Sequence, residues 1–375
     1  MDVESLKQYL LDNPPKVVGD YDRIARKVGK TAEAIRYHCR QLGLTIHLSQ
    51  GGDEKMNKIK LLDYNKLSKS LLDLAKQDRV EIHLPKIRKQ KNTKFTEQAV
   101  LMLSDIHFGK LNYYLDFNSN KRVLTYSPEI FTTELNRLLD GITTIKDLLL
   151  GGYNLDTLNI FALGDLVDNE LIYRGQQKFV EEGVIAQVLN LTSYLKQMII
   201  SLLKIFPKVK MTVIGGNHAR LTSIPEADWD YNNFDYLIGK ILQIMFEKEK
   251  RVEIIVPESW FYLAQIYSWK YLLHHGNTVY SWMSMPYYGI TRQSKSRRME
   301  IPYDMELIAH FHQFMEIATS SHTTTIVNGA WIKNDEFAWK KFGVLSQPQQ
   351  VFFGVSPKRK KTWEFPIDLE NSRSV

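Results

Sequence analysis

Asp105 and His107 stand two residues apart at the end of an apolar run, in Leu101-Met-Leu-Ser-Asp-Ile-His107. In a strand, residues two apart point to the same side. Where the strand ends, a carboxylate oxygen and an imidazole nitrogen therefore converge, and that donor pair suits a divalent cation. Asp-x-His alone is a common triplet. Four further clusters give it weight: Gly164-Asp-Leu-Val-Asp168, Gly215-Gly-Asn-His218, His274-His275-Gly276 and His310-Phe-His312. Each cluster has an ordinary reading, because Gly-Asn makes turns, Gly-Asp-x-x-Asp caps helices and strand-end histidines sit on surfaces. Five of them in one chain, each following an apolar run, point instead to one shared site.

The elements that must position these residues are legible as alternating strands and helices. Short buried strands are expected at Ala99–Leu103, Leu158–Leu163, Val209–Ile214, Trp269–Leu273 and Met305–Ala309. Helices are expected at Ser127–Leu150 and Gly183–Ile205. Trp331-Ile-Lys333 and Phe337-Ala-Trp339 suggest further strands. In open α/β folds a site forms outside the carboxyl ends of the strands, where all five clusters would meet. Gly164 allows a sharp turn that brings Asp165 close to a ligand, and its two oxygens can bridge two cations.

Composition excludes several classes. The chain has 375 residues, 44% hydrophobic and 24% charged, as in an ordinary globular protein with room for a large and a small domain. One cysteine, Cys39, rules out an intramolecular disulfide and suits a reducing compartment. No segment reads as a membrane span or a signal peptide, so a cytoplasmic location is expected. The net charge of +7 is unevenly spread. Residues 1–97 hold 20 Lys/Arg against 13 Asp/Glu, and residues 98–375 hold 29 against 29. That asymmetry suits a basic targeting part joined to a near-neutral catalytic part, or equally a solvated linker without a partner.

Within residues 1–47, Val3–Leu11 and Tyr21–Val28 have helical spacing, with Leu6, Leu10, Leu11, Ile24, Ala25 and Val28 inward. Asn13-Pro-Pro15 stops the first helix, and Gly29-Lys30 turns the second into a third that runs to Leu42. Thr31 caps the third helix, and Ile35, Cys39 and Leu42 face inward. Two short helices joined by a tight turn resemble a helix-turn-helix. Arg36, Tyr37, Arg40 and Gln41 would then face a DNA groove. Such units also serve as plain protein-binding modules. Residues 48–97 read as a basic connector containing Lys86-Ile-Arg-Lys-Gln-Lys-Asn-Thr-Lys94, and the tail 356–375 as peripheral.

The motif order Asp-x-His, Gly-Asp-x-x-Asp, Gly-Asn-His, His-Gly, His-x-His resembles the calcineurin-like metallophosphoesterase superfamily, near its DNA-repair exonucleases. The likeness covers about residues 98–330 within a domain drawn at 98–355. It implies a four-layer α/β/β/α sandwich, here preceded by a small all-α domain that is not the exonucleases' usual arrangement. It implies two divalent cations, with Mn²⁺ the first choice and Fe, Zn²⁺ or Mg²⁺ the alternatives. Asp105, His107 and His312 would hold the first cation, and Asn217, His275 and His310 the second, with Asp165 bridging. His218 would protonate the leaving oxygen, oriented by Asp168, while a metal-activated hydroxide attacks phosphorus in line. His275 is taken over His274 because the family's ligand directly precedes Gly. Ala219-Arg220 stands where an acidic residue often follows the histidine, and Arg220 would reach a phosphate. Arg292 and Arg297, in the aromatic and basic stretch Tyr287–Arg298, are further substrate candidates, or part of a solvated loop. The resulting expectation is a phosphodiesterase acting on nucleic acid, a DNA nuclease, with pairing into a homodimer as in related nucleases. The alternatives are a phosphatase or phosphodiesterase for phosphoproteins or nucleotides that the N-terminal domain only localises, and a DNA-binding regulator with a structural metal.

Overall fold

The computed structural model describes residues 3–13, 20–31, 34–35, 38–39, 95–116, 118–224, 231–280, 286–335, 339–340, 343 and 345–370. The chain divides into two compact units, Met1–Asp63 and Tyr64–Val375, each described by itself below. Among the described residues no helix is long and apolar enough to cross a membrane.

In the first unit, α1 (Val3–Asp12) and α2 (Asp20–Val28) precede helical residues at 34–35 and 38–39. Leu6, Leu10, Ile24, Ala25, Val28, Ile35 and Cys39 form its core. Leu11, expected inward, is exposed instead: the helix has only a narrow apolar stripe, and Leu10 fills it. Gly29 has φ +66° at the turn, and Thr31 Oγ1 accepts from the Ala34 amide at 3.2 Å, as an N-cap does. The expected DNA-facing residues Arg36, Tyr37, Arg40 and Gln41 lie outside the described residues, as does the connector up to residue 94.

The second unit is built from two sheets. The strands are β1 (Phe95–Leu103), β2 (Asn112–Asp116), β3 (Lys121–Tyr126), β4 (Tyr153–Ala162), β5 (Lys208–Val213), β6 (Val252–Ile255), β7 (Phe261–Ile266), β8 (Trp269–His274), β9 (Met305–Ile308), β10 (Met315–Ala318), β11 (Thr324–Val327), β12 (Gln349–Val355) and β13 (Glu364–Asp368). The helices are α3 (Pro128–Leu149), α4 (Val184–Leu202), α5 (Phe234–Met245) and α6 (Pro286–Glu300). One sheet runs β13-β12-β1-β4-β5-β6, the other β10-β11-β9-β8-β7. The central strands β1, β4, β5 and β6 are parallel, as are β8, β9 and β11. The strands and helices expected before the five clusters form within a few residues of their expected ends, with Ser127 capping α3.

Alternation along the strands sets the layers. In β1, Leu101 and Leu103 pack under α3, α4 and α5 with Leu138, Leu195 and Ile238, while Val100 and Met102 face the other way. Those join Leu273, Leu307 and Ile326 of the second sheet in a core between the sheets. Ile290 of α6 packs with Ile308 and Val327 on the second sheet's outer face. The result is helix, sheet, sheet, helix, the four layers expected.

Three segments differ from expectation. Residues after Ser356 are not a peripheral tail: β13 pairs with β12 and extends the first sheet, and Trp363 packs on Phe352 with ring centroids 5.1 Å apart. Trp331-Ile-Lys333 is not a strand, because Trp331 instead caps the site loop, donating its amide to Asp105 O and packing 4.9 Å from Phe131. The stretch Tyr287–Arg298 is helical in α6, since Arg297 there bonds four residues back to Gln293 and down to Glu306.

Candidate metal centre

The ligand candidates sit just past the strands rather than within them. β1 delivers Asp105 and His107, β4 Asp165 and Asp168, β5 Asn217 and His218, β8 His275, and β9 His310 and His312. Asp105, His107, Asp165, His310 and His312 all have φ between +47° and +74°. A non-glycine residue seldom adopts that region, and such strain persists only where surrounding bonds over-determine it. Here they do. Asp105 N donates to Gly164 O at 3.1 Å and His107 N to Asp165 O at 2.9 Å, continuing the β1–β4 pairing beyond the strands. His218 N donates to Asp165 Oδ1 at 2.7 Å. Asn169 Nδ2 donates to the carbonyls of His218 and Arg220, both at 2.9 Å.

Two glycines are required by close approach. A Cβ at Gly164 would lie 2.6 Å from Gly216 Cα and 2.9 Å from His275 Nδ1. A Cβ at Gly216 would lie 2.1 Å from Asp165 Oδ1.

The structure gathers all seven expected ligands. His107 Nε2 lies 3.1 Å from His312 Nε2, and His312 Nε2 lies 3.6 Å from Asp105 Oδ1. On the other side, His275 Nε2 is 3.0 Å from Asn217 Oδ1, 3.1 Å from Asp165 Oδ2 and 3.3 Å from His310 Nδ1. Asp165 Oδ2 is 3.9 Å from His107 Nε2, so its carboxylate stands between the two groups. Donors each about 2.1 Å from one cation lie roughly 3.0–3.4 Å apart at right-angled to tetrahedral geometry. Ring nitrogens facing each other, and the buried Asp105 Oδ1 without a hydrogen-bond partner, fit cations in both places.

Most of the protonation states agree with that fit, and His275, protonated in a cation's absence, would release that proton on binding one. Burial, and then His218, press His107 down to about 3, so its ring is neutral and its nitrogen lone pair free. Burial and the neighbouring His275 hold His310 far below its usual range. Burial would raise Asp165, but His275 and His218 outweigh it and keep the carboxylate ionised. Burial also opposes charge on His275, yet Asp165 and Asp105 lift it to about 9. The carboxylates thus concentrate demand for positive charge at the place where the donors meet.

His275, not His274, enters the site. His274 lies on the outer face of the second sheet, with Nε2 3.0 Å from Glu306 Oε1. Arg297 Nη1 completes that cluster at 3.0 Å from Glu306, with the guanidinium 5.5 Å from the Trp260 ring centre. Arg297 is therefore committed to a buried carboxylate under α6, which corrects its expected role as a substrate contact. Arg292 is exposed on α6.

Asp168 serves two histidines. Its Oδ1 is 2.9 Å from His107 Nδ1 and 3.2 Å from His218 Nδ1. Burial opposes the charge on Asp168, but its bonds to both rings hold it well below the usual carboxylate range. His218 keeps a side chain 20% exposed, with Nε2 the ring nitrogen left for a substrate. Arg220 Nε donates to the Asn217 carbonyl at 2.9 Å, which fixes the guanidinium beside the site.

Four supporting residues lie outside the five sequence clusters. Asp235 accepts from the amides of Leu166 and Gly216 at 3.1 and 2.9 Å, tying two ligand loops together. Burial and the nearby Asp165 push it up to about 7. Asp335 Oδ2 lies 3.2 Å from His312 Nδ1, and its Oδ1 lies 3.8 Å from Lys110 Nζ. Gln176 Nε2 bonds the Asp168 carbonyl and reaches His218 Nδ1 at 3.3 Å. Tyr173 contacts Asn217 and His218. The one local signal among them is Asn233-Phe-Asp235, a helix-cap pattern at the start of α5.

No protein-family profile and no curated protein matches the sequence. Among solved structures, the chain is similar to Vps29 of Entamoeba histolytica complexed with Zn²⁺, at 10% identity and TM-score 0.31, over 73% of this chain and 100% of that one. It is similar to a metallophosphoesterase from Sphaerobacter thermophilus, at 13% identity and TM-score 0.32, over 72% and 89% of the two chains. It is also similar to a 5'-nucleotidase from Candida albicans, at 11% identity and TM-score 0.30, over 75% and 52%.

Proposed function

We propose that this chain is a dinuclear-metal-dependent phosphodiesterase, and within that class a DNA nuclease. The observation that carries the reading is the convergence of seven oxygen and nitrogen donors from five strand ends, six of them around the ionised carboxylate of Asp165. Asp105, His107 and His312 would hold one cation, Asn217, His275 and His310 the other, and Asp165 both. Bound there, two divalent cations supply Lewis acidity for phosphoryl oxygens and make water acidic enough to ionise near neutral pH. Mn²⁺ suits a mixed oxygen and nitrogen set without thiolates.

The chain's own residues supply the rest. Asp168 engages His218 at Nδ1, which leaves Nε2 to give a proton to the leaving oxygen, a role worth typically 10²–10⁴-fold. Asp165 and Asp168 together lift the His218 pKa against its burial, which favours the protonated ring that this role needs. Arg220 would hold a non-bridging phosphate oxygen by charge-assisted hydrogen bonds. The basic excess in residues 1–97 and the small helical unit within them support DNA as the substrate. Arg36, Tyr37, Arg40 and Gln41 are the candidates for reading it, and Arg292 for holding it near the site.

The test is incubation of the full chain with end-labelled single- and double-stranded DNA and Mn²⁺, with bis-p-nitrophenyl phosphate and p-nitrophenyl phosphate in parallel. Cleavage of DNA and of the diester over the monoester is expected, and Asp165→Ala should abolish both. Preference for the monoester with intact DNA would move the assignment to a phosphatase.

A further inference from the structure

Tyr173 lies outside the five sequence clusters yet touches two of the residues they supply. Its hydroxyl oxygen accepts from Asn217 Nδ2 at 2.9 Å, and its ring centre lies 4.9 Å from that of His218. An amide has one donating end and one accepting end. With the nitrogen tied to Tyr173, Asn217 Oδ1 is turned toward His275 Nε2, 3.0 Å away, among the other donors. Rotated by half a turn, the amide would present N–H groups to a cation and lose its value as a ligand. Residues that fix a ligand's orientation in this way are typically worth 10–100-fold in metal affinity.

The ring poses a second question. Although the hydroxyl is anchored, Tyr173 remains 46% exposed. Orienting Asn217 does not require an open ring face. Held at its hydroxyl, the ring loses little further freedom when a flat group stacks on it, and base–aromatic stacking tolerates every base. The neighbouring ring, 4.9 Å away, is that of His218, the residue that would serve the leaving oxygen, so a group stacked on Tyr173 would lie near that oxygen.

We propose that Tyr173 is a positioning residue that fixes Asn217 for the second cation, and that its open ring seats a planar group of nucleobase type beside the scissile phosphate. This rests on the phosphodiesterase reading above and names the chemistry of its leaving group.

The experiment titrates the metal-stripped full chain with Mn²⁺ by calorimetry, then titrates the Mn²⁺-loaded chain with thymidine 5'-phosphate or ribose 5-phosphate. Tyr173→Phe keeps the ring and removes the hydroxyl. It should weaken one Mn²⁺ site about 10-fold or more and leave the other unchanged, while the chain still prefers the nucleotide over the sugar phosphate. Tyr173→Leu removes both functions and should also lose that preference, about 10-fold in the wild type. Thermal melts matching the wild type exclude a folding defect. An unaltered Mn²⁺ isotherm in Tyr173→Phe overturns the positioning role, and an intact nucleotide preference in Tyr173→Leu overturns the seat. A wild-type chain that takes up no Mn²⁺ overturns the metal centre itself, a different and recognisable failure.

Discussion

Gly216→Ala is the smallest change that should empty this site. A Cβ there would sit 2.1 Å from Asp165 Oδ1 and 2.2 Å from Asp165 N, where real Cβ contacts essentially never fall below 3.0 Å. One side or the other must give by about 1 Å. Neither moves freely: Asp165 N and Oδ1 lie within a loop bonded to β1 and to His218, and the Gly216 amide is held by Asp235. Gly216 does not have a positive φ, so steric overlap alone is at issue. Overpacking of this kind costs typically 1–3 kcal/mol of stability. Displacing a reacting or ligating group by about 1 Å can cost on the order of 10²-fold in rate. The assay is the rise in melting temperature on adding Mn²⁺, beside diester hydrolysis. Gly152→Ala is the control, since a Cβ there meets nothing within 4 Å and φ is not positive. If Gly216→Ala keeps both the metal-induced shift and the rate, Asp165 is not where the two cations would meet.

Other outcomes follow from the same contacts. His275→Ala should lose Mn²⁺ binding while the fold survives. His274→Ala should keep metal binding but lower stability by about 1–3 kcal/mol, because it removes one hydrogen-bond partner of the buried Glu306, which keeps Arg297; denaturant titration separates the two. Deleting residues 356–375 should cause aggregation or loss of fold, since it strips β13 from β12 and exposes Phe352, and size-exclusion chromatography reads this directly. Burial first, and then Glu370, raise Glu134 from 4.5 to about 9, so the folded state keeps a proton that the unfolded state releases. Its contribution is complete below pH 4.5 and is lost as pH rises toward 9, with a slope of at most about 1.4 kcal/mol per pH unit. Glu134→Gln should flatten the fall in stability over that window, measured by urea unfolding at several pH values.

The five clusters were legible because their chemistry lies within a few residues of an apolar strand, and strand ends are what periodicity marks best. The pair His274-His275 was not resolved by spacing, since adjacent residues on a strand face opposite ways and the answer depends on where β8 stops. It stops at His274, whose side chain turns outward to Glu306. Arg297 looked like a substrate contact because charge is visible in a sequence and a buried carboxylate on another strand is not. Asp335 reaches His312 from a segment with no periodic pattern at all. The tail looked peripheral because Lys358-Arg-Lys-Lys361 dominates it, while β13 lies just beyond, covering Phe352.

The backbone bonds that prolong β1 and β4 into the ligand loops bear on how the site opens. Asp105 and His107 donate their amides to the facing loop in the middle of the larger sheet. Any fluctuation that spreads those loops must also fray the two central strands. Their amide protons should therefore exchange with deuterium only as slowly as the whole domain unfolds, and stripping of the cations by a chelator should involve small side-chain excursions rather than a swinging segment.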